Sequence, residues 1–275
     1  MSYLSVSTWS LHRNLGPLRW TEWDNQEKQH VTNIEEQAET TTLLELPAVL
    51  AAKGFQTVEI CHFHFPHTNA NYLQQLRTAL KEASITLHTL LLDYSDISST
   101  DEDRTQADIQ FIKEWIDIAS TVGAKQIRII AGDASPDDTS ALVRVSEHFN
   151  SLAQYAEERN VRVVTENFRS LASTAENCLH IVENSNQKVA LIADFGNFTG
   201  STKYEELAKI LPYSTSVHAK PNYDGDGMPE EAEFRKCLDL LQAVNYDGPI
   251  NIIYDGPGDM WAGIERVKRI VEEYL

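Results

Sequence analysis

The chain has 275 residues, of which 42% are hydrophobic and 23% are charged. This composition is typical of a folded globular protein and not of a disordered one. The 23 Lys and Arg residues against 41 Asp and Glu residues give a formal net charge of -18. Because phosphate backbones and anionic lipids repel so acidic a molecule, we predict neither a nucleic-acid partner nor a membrane partner.

Cysteine usage and the N-terminal residues bear on the compartment. Cys61, Cys178 and Cys237 are far apart and form no CxxC pair. This spacing disfavours a disulfide framework and a structural zinc site and indicates a reducing compartment. Residues 1–16 lack the apolar core of a signal peptide, and no apolar run approaches the roughly 18 residues that span a bilayer. We therefore predict a cytoplasmic protein.

Short apolar runs rich in β-branched residues alternate with longer amphipathic segments along the whole chain. Eight strands, each followed by a helix, within about 250 residues are typical of a (β/α)8 TIM barrel, and a doubly wound open sheet is the alternative. We predict one barrel domain over residues 1–275. The predicted strands are residues 4–9, 57–63, 86–92, 126–131, 161–166, 189–194, 214–219 and 250–255. The predicted helices are residues 43–52, 71–82, 105–122, 140–159, 174–184, 204–210, 231–244 and 261–275.

One connection is much longer than the others. Residues 12–41 separate the first predicted strand from its helix and contain Trp20 and Trp23. Long loops in compact domains are usually either functional or disordered. The two tryptophans favour a packed segment, and we interpret it as a lid.

Polar residues follow the later predicted strands, where a barrel of this type places its active site. Glu166 ends the fifth strand, Asp194 ends the sixth, and His218 and Lys220 lie on one face at the end of the seventh. Two carboxylates and an imidazole on three consecutive strands form a natural site for a divalent cation. The sequence predicts Glu166, Asp194 and His218 as ligands of Mn²⁺, Mg²⁺, Co²⁺ or Zn²⁺.

The chain resembles the xylose isomerase-like TIM-barrel superfamily, in its sugar phosphate isomerase and epimerase branch, over nearly its whole length. The motifs that carry the resemblance are Val58-Glu59-Ile60, Glu166-Asn167, Asp194-Phe195-Gly196-Asn197-Phe198, His218-Ala219-Lys220 and Tyr246-Asp247-Gly248-Pro249. The resemblance implies a divalent metal held by one carboxylate or imidazole from each of the last four strands. Its first three ligands match Glu166, Asp194 and His218.

The fourth ligand does not match. A glutamate is usual in the family at the position of Ile253, and an isoleucine side chain cannot bind a metal. In the epimerases of this superfamily the carboxylates of the fifth and eighth strands flank the carbon that exchanges a proton. Asp255 lies on the same face but about 6.6 Å further along the strand. We expect a three-residue metal site, with Asp255 assisting Glu166 in acid–base catalysis.

Three further polar residues are predicted to bind substrate. The resemblance places His64 on the substrate-binding rim, and we expect Asn197 and Lys220 to contact substrate oxygens. Glu59 and Arg128 lie within the second and fourth predicted strands, and we interpret them as an ion pair inside the barrel.

Together these features predict a metal-dependent isomerase or epimerase acting on a small sugar, ketose, polyol or sugar phosphate. Two alternatives stay open: a noncatalytic sugar-binding barrel, which Ile253 favours, and an endonuclease for damaged DNA, which the charge of -18 disfavours. The sequence leaves open whether copies of the chain form a homo-oligomer.

Overall fold

A computed structural model describes residues 1–185 and 188–275. It contains a closed barrel of eight parallel strands, in the order β1-β10-β9-β8-β7-β6-β5-β4, and confirms the predicted (β/α)8 fold. The barrel strands are β1 (Tyr3–Ser7), β4 (Thr57–Cys61), β5 (Thr86–Leu91), β6 (Gln126–Arg128), β7 (Arg162–Glu166), β8 (Val189–Asp194), β9 (Ser214–Ala219) and β10 (Pro249–Ile252).

The helices surround this barrel and bury their apolar faces against it. They are α1 (Leu46–Ala52), α2 (Ala70–Glu82), α3 (Glu102–Val122), α4 (Thr139–Glu157), α5 (Ala175–Asn184), α6 (Lys203–Ile210), α7 (Glu231–Ala243) and α8 (Met260–Val271). α3 begins three residues earlier than predicted, because the Asp101 side chain accepts hydrogen bonds from the backbone N–H groups of Asp103 and Arg104. Within the described part of the chain, no helix combines the length and apolarity needed to cross a membrane.

Residues 12–41 are the main departure from the predicted elements. Instead of a loop they contain an antiparallel hairpin of β2 (Leu18–Asp24) and β3 (Gln29–Glu35). Four residues connect the strands, and the last of them, Lys28, has the left-handed φ of 53° that a hairpin turn of this length requires. The strands were missed because most of their side chains are polar and only half-buried or exposed, so the apolar alternation of a strand is weak.

Five strands also end earlier than predicted, at residues 7, 61, 91, 128 and 252 instead of 9, 63, 92, 131 and 255. The first strand ends at Ser7, and Thr8–Leu11 form a 3-10 helix because the Ser7 side chain accepts a hydrogen bond from Trp9 N–H. The last strand ends at Ile252, so Ile253 and Asp255 lie beyond the strand. Alternation along an ideal strand therefore does not fix where the Asp255 side chain points.

A pair of glycine substitutions tests how tightly the loops at the C-terminal end of the barrel pack. Gly132 has φ 125°, and a Cβ atom there would lie 2.6 Å from Asp96 Oδ1. Gly200 also has a positive φ, 77°, but a Cβ atom there would meet nothing within 4 Å. We expect Gly132→Ala to lower the free energy of unfolding by roughly 3 kcal/mol or more, because overpacking adds to backbone strain.

Gly200→Ala is the matched control, because it adds backbone strain without overpacking. We expect it to lower the free energy of unfolding by about 1 kcal/mol. Chemical denaturation measures both variants. Equal losses would contradict the tight packing of Gly132 against Asp96.

Candidate active site

The three predicted metal ligands meet at the C-terminal end of the barrel. Glu166 ends β7, Asp194 ends β8, and His218 pairs with Asp194 in the register of β8 and β9. Each residue is only 4% exposed. His218 Nδ1 lies 3.5 Å from Glu166 Oε1 and 3.4 Å from Asp194 Oδ2.

The fourth member of the cluster is Glu59, fully buried on β4. Its Oε2 lies 2.6 Å from His218 Nε2, on the opposite edge of the imidazole from Glu166 and Asp194. Its Oε1 accepts hydrogen bonds from the hydroxyls of Thr89 (2.7 Å) and Ser216 (2.6 Å). The ladder between β4 and β5 shifts register immediately before Glu59, and such irregularities re-aim side chains next to functional sites. Glu59 therefore fixes the ring of His218 from behind.

Negative charge around His218 makes this end of the barrel attractive to cations. Burial alone would lower the pKa of His218, but Glu166 and Glu59 raise it well above its ordinary value. Burial alone would raise the pKa of Glu166, but Arg128 and His218 lower it below its ordinary value. The imidazole is therefore protonated and the Glu166 carboxylate is ionised in the absence of another cation.

These residues fit a divalent metal ion. One ligand atom from each of Glu166, Asp194 and His218 lies within 4.8 Å of the others, and all three residues are buried. A cation held at about 2.0–2.2 Å by such ligands leaves neighbouring ligand atoms roughly 3 to 3.5 Å apart. The distances from His218 Nδ1 agree with this spacing. A carboxylate on the far nitrogen of a ligating histidine is also the usual outer partner of a metal-bound imidazole.

Arg128 is a further buried charge of the site and was predicted to pair with Glu59. That prediction is wrong, since the two side chains have different partners. Arg128 Nη2 lies 2.6 Å from Asp93 Oδ1, and Arg128 Nε lies 3.1 Å from Glu166 Oε2. Glu59 instead faces His218, with Oε2 2.6 Å from His218 Nε2. Arg128 thus orients one oxygen of Glu166, while Asn197 Nδ2 donates to the other at 3.0 Å.

A cavity of about 280 Å³ opens above this cluster. Trp9, Trp20 and Phe63 form an aromatic wall, with the Trp20 and Phe63 ring centroids 4.4 Å apart. Trp20 belongs to the hairpin, so residues 12–41 contribute directly to this cavity. Among the predicted site residues, the cavity is lined by Glu166, Asp194, Asn197, His218, Lys220 and Asp255.

Lys220 and Asp255 face each other on the cavity wall. Lys220 Nζ lies 2.9 Å from Asp255 Oδ2, and the two side chains are 30% and 28% exposed. Burial lowers the pKa of Lys220, but Asp194 and Asp255 outweigh it and raise the pKa above its ordinary value. The lysine therefore offers a proton-bearing ammonium group to the cavity, and Asp255 is its carboxylate partner.

Ile253 lies in the same wall and is 3% exposed. This is the position at which the family resemblance places the fourth carboxylate. The carboxylates of Glu166 and Asp194 thus lie beside His218 at the ends of β7 and β8, and that of Glu59 on β4 lies behind it, while Ile253 contributes an apolar side chain to the cavity wall.

His64 occupies a different place from the other predicted site residues. It is 1% exposed, and its Nδ1 lies 2.8 Å from Thr8 Oγ1, outside the residues that line the cavity. Burial, followed by the charges of His12 and His62, lowers its pKa to about 3. The structure thus places a neutral, internal imidazole here, and its predicted contact with substrate stays a prediction.

Several cavity residues were missed from the sequence. Asp93 directly follows an apolar run that ends a predicted strand, which is the signal that identified Glu166 and Asp194. Trp9 lies at the end of the first predicted strand. Phe168 was missed because it lies in a predicted loop. The centroid of its ring is 5.4 Å from Arg128 Cζ and 5.3 Å from Arg169 Cζ.

The fold defines a barrel protein with a polar site at the C-terminal ends of its strands. The chain belongs to the xylose isomerase-like TIM barrel family, whose model matches residues 47–271. No curated protein is significantly similar to the chain in sequence.

Solved structures share the fold at low sequence identity. The 3-keto-D-glucoside 4-epimerase of E. coli is 19% identical with a TM-score of 0.66, over 84% of this chain and 94% of that chain. An L-ribulose 3-epimerase is 14% identical with a TM-score of 0.73, over 100% and 95%. A xylose isomerase-like TIM barrel protein from Mycobacterium smegmatis, in complex with magnesium, is 15% identical with a TM-score of 0.70, over 100% and 97%.

Removing the buried arginine tests the electrostatics of the site. We expect Arg128→Met to lower the free energy of unfolding by about 3–5 kcal/mol, because Asp93 and Glu166 would keep buried charges without their partner. Lys188→Met is the control: its salt bridge with Glu157 joins side chains that are 47% and 69% exposed, and its loss costs about 0–1 kcal/mol. Urea denaturation compares the two variants, and a small loss for Arg128→Met would contradict the pairing.

Proposed function

We propose that the protein is a divalent-metal-dependent enzyme that moves a proton beside the carbonyl group of a small sugar, ketose, polyol or sugar phosphate. The observation that carries the proposal is the geometry of His218. Its Nδ1 is directed at Glu166 and Asp194, and its Nε2 is bonded to Glu59. Membership of the xylose isomerase-like family and the shared fold with two sugar epimerases support it.

Glu166, Asp194 and His218 would hold the metal, and water or substrate oxygens would complete its coordination. When bound, a divalent cation polarises a carbonyl group and stabilises the negative charge that develops on its oxygen. The ligand set of two carboxylates and one imidazole suits Mn²⁺, Mg²⁺, Co²⁺ or Zn²⁺ and does not choose among them.

The chain's own residues supply the proton transfer. Glu166 is ionised and is oriented by Asn197 and Arg128, so it can accept a proton from a carbon atom in the cavity. Lys220, held in its protonated form by Asp194 and Asp255, donates a hydrogen bond or a proton to a substrate oxygen. In this proposal Asp255 keeps Lys220 protonated and Asn197 orients Glu166, so both affect the reaction through the residue that they contact.

The composition of the cavity wall favours isomerisation over epimerisation. Epimerisation inverts a carbon atom and needs proton donors and acceptors on both of its faces. Ile253 leaves the face opposite Glu166 without the carboxylate that the family usually provides. Interconversion of an aldose and a ketose needs one base, which removes a proton from one carbon and returns it to the neighbouring carbon on the same face.

A noncatalytic sugar-binding protein is the second candidate. The same Ile253 favours it, and the pairing of Glu166 with Arg128 lowers the basicity of that carboxylate. Turnover distinguishes the two candidates, because a binding protein would bind sugar without converting it.

Metal content tests the proposed site. We expect the purified protein to contain close to one equivalent of a divalent metal, and His218→Ala to lose it because a ligand is missing. Glu59→Gln should weaken metal affinity by about 10- to 100-fold, since the outer partner of the histidine no longer carries a charge. Elemental analysis and titration calorimetry measure these effects, with His180→Ala as the control. A folded wild-type protein that binds no divalent metal would overturn the proposal.

Product analysis tests the reaction. With metal supplied, a panel of aldoses and ketoses followed by NMR should show interconversion of aldose and ketose, without inversion at C3. Glu166→Gln should lower kcat by at least about 100-fold, because the general base is lost. Inversion at C3 would contradict isomerisation by a single base. Binding of sugars without turnover would favour the noncatalytic sugar-binding protein.

A further inference from the structure

A second cavity, of about 430 Å³, lies beside the first. The hairpin forms one of its walls, and the segments that follow β5, β6 and β7 form the other. Trp20, Asp93 and Arg169 line both cavities, so the two spaces are neighbours across these three side chains. A molecule that occupies both cavities would therefore contact these shared side chains, Trp20 among them.

The hairpin wall is held firmly against the barrel. His30 Nε2 lies 2.8 Å from Oδ1 of Asp108, which is fully buried on α3, and Lys28 Nζ lies 2.5 Å from Asp101 Oδ2. Trp20 Nε1 donates to Glu35 Oε2 at 2.9 Å, which fixes its indole ring between the cavities. The second cavity is therefore preformed, and binding there requires little ordering of the hairpin.

The hairpin also lies outside the family-matched region. β2 and β3 end at Glu35, and the match begins at residue 47. The second cavity thus combines walls of the shared barrel with a wall that the family model does not include. This combination points to a function in substrate selection, because the catalytic groups all lie within the matched region.

The charges around the second cavity argue against a phosphate or carboxylate ligand. Its lining holds three carboxylates, Glu22, Asp93 and Asp133, and two guanidinium groups, Arg104 and Arg169, for a sum of -1. Two of these groups are already paired outside the lining: Arg104 Nη1 lies 3.4 Å from Asp96 Oδ2, and Asp93 Oδ1 lies 2.6 Å from Arg128 Nη2, so the charges of the other three still sum to -1. An anionic group would meet net repulsion here, whereas a neutral group would not.

The remaining lining is suited to a ring that carries many hydroxyl groups. Trp20 and Trp23 offer large amphipathic ring surfaces against which the C–H groups of a sugar pack. Thr21, Asn25 and Ser95 add neutral donors and acceptors, and the carboxylates accept from hydroxyl groups. Planar apolar surfaces combined with mixed polar groups match the two chemical faces of a pyranose.

We infer that the second cavity binds a neutral sugar residue joined to the one that reacts, so that the preferred substrate is a reducing disaccharide and not a free monosaccharide or a sugar phosphate. This inference rests on the proposed function for the identity of the reacting part. It names Trp23 and Asn25 as specificity residues that contact only the second residue of the ligand.

Binding measurements test the inference without requiring turnover. Titration calorimetry with Mg²⁺ present compares D-glucose and D-glucose 6-phosphate with the reducing disaccharides cellobiose, maltose and lactose. We expect at least one disaccharide to bind 10-fold or more tightly than either monosaccharide. Trp23→Ala should remove this advantage while changing the affinity for glucose by less than twofold. Trp261→Ala, on the outer helix α8, is the matched control and should change neither affinity.

Asn25→Ala keeps the test valid if Trp23→Ala disturbs the hairpin, because Asn25 lies exposed in the turn and its loss should weaken only the disaccharide. Equal affinities for glucose and all three disaccharides, tighter binding of glucose 6-phosphate, no binding of any disaccharide, or equal weakening of both sugars by both variants would overturn the inference. Failure of the proposed function would appear separately, as absence of metal, or as absence of turnover with reducing disaccharides as well as with free aldoses and ketoses.

Discussion

The hydrogen bond between the Glu59 carboxylate and His218 Nε2 is the interaction on which the candidate site depends. A carboxylate buried at the centre of a barrel is costly unless it is paired and hydrogen-bonded, and Glu59 has three such partners. Gln126 supports Thr89 and Asn251 supports Ser216, so a polar layer crosses the barrel interior below the site. This layer leaves His218 one orientation, with Nδ1 facing Glu166 and Asp194.

The site is asymmetric above that layer. β7 and β8 supply carboxylates, Arg128 and Lys220 supply positive charge, and the wall near Ile253 is apolar. In the proposed function, such a site would differ from a two-carboxylate one because proton transfer would be confined to one face of a carbon atom. The hairpin adds an aromatic wall at the mouth, so the proposed chemistry and the proposed substrate selection are assigned to different parts of the chain.

Much of this structure could be predicted from the sequence because its signals are local. The barrel strands appear in the sequence as short runs rich in β-branched residues, and this pattern predicted the fold. Polar residues at the ends of the later runs identified Glu166, Asp194 and His218. The partners of Glu59 and Arg128 could not be predicted from the sequence, since a register shift beside Glu59 decides which way its side chain points. The hairpin was missed because it is stabilised by contacts with α3, such as His30 with Asp108, and not by an apolar pattern of its own.

The central claim is that one divalent cation binds between Glu166, Asp194 and His218 without help from the last barrel strand. A crystal structure of the protein soaked in Mn²⁺, with anomalous diffraction data, tests it most directly. We predict a single strong anomalous peak within about 2.0–2.3 Å of His218 Nδ1 and of one oxygen from each carboxylate, with Asp255 still bonded to Lys220. A peak coordinated by Asp255, or no peak at the cluster, would contradict the account.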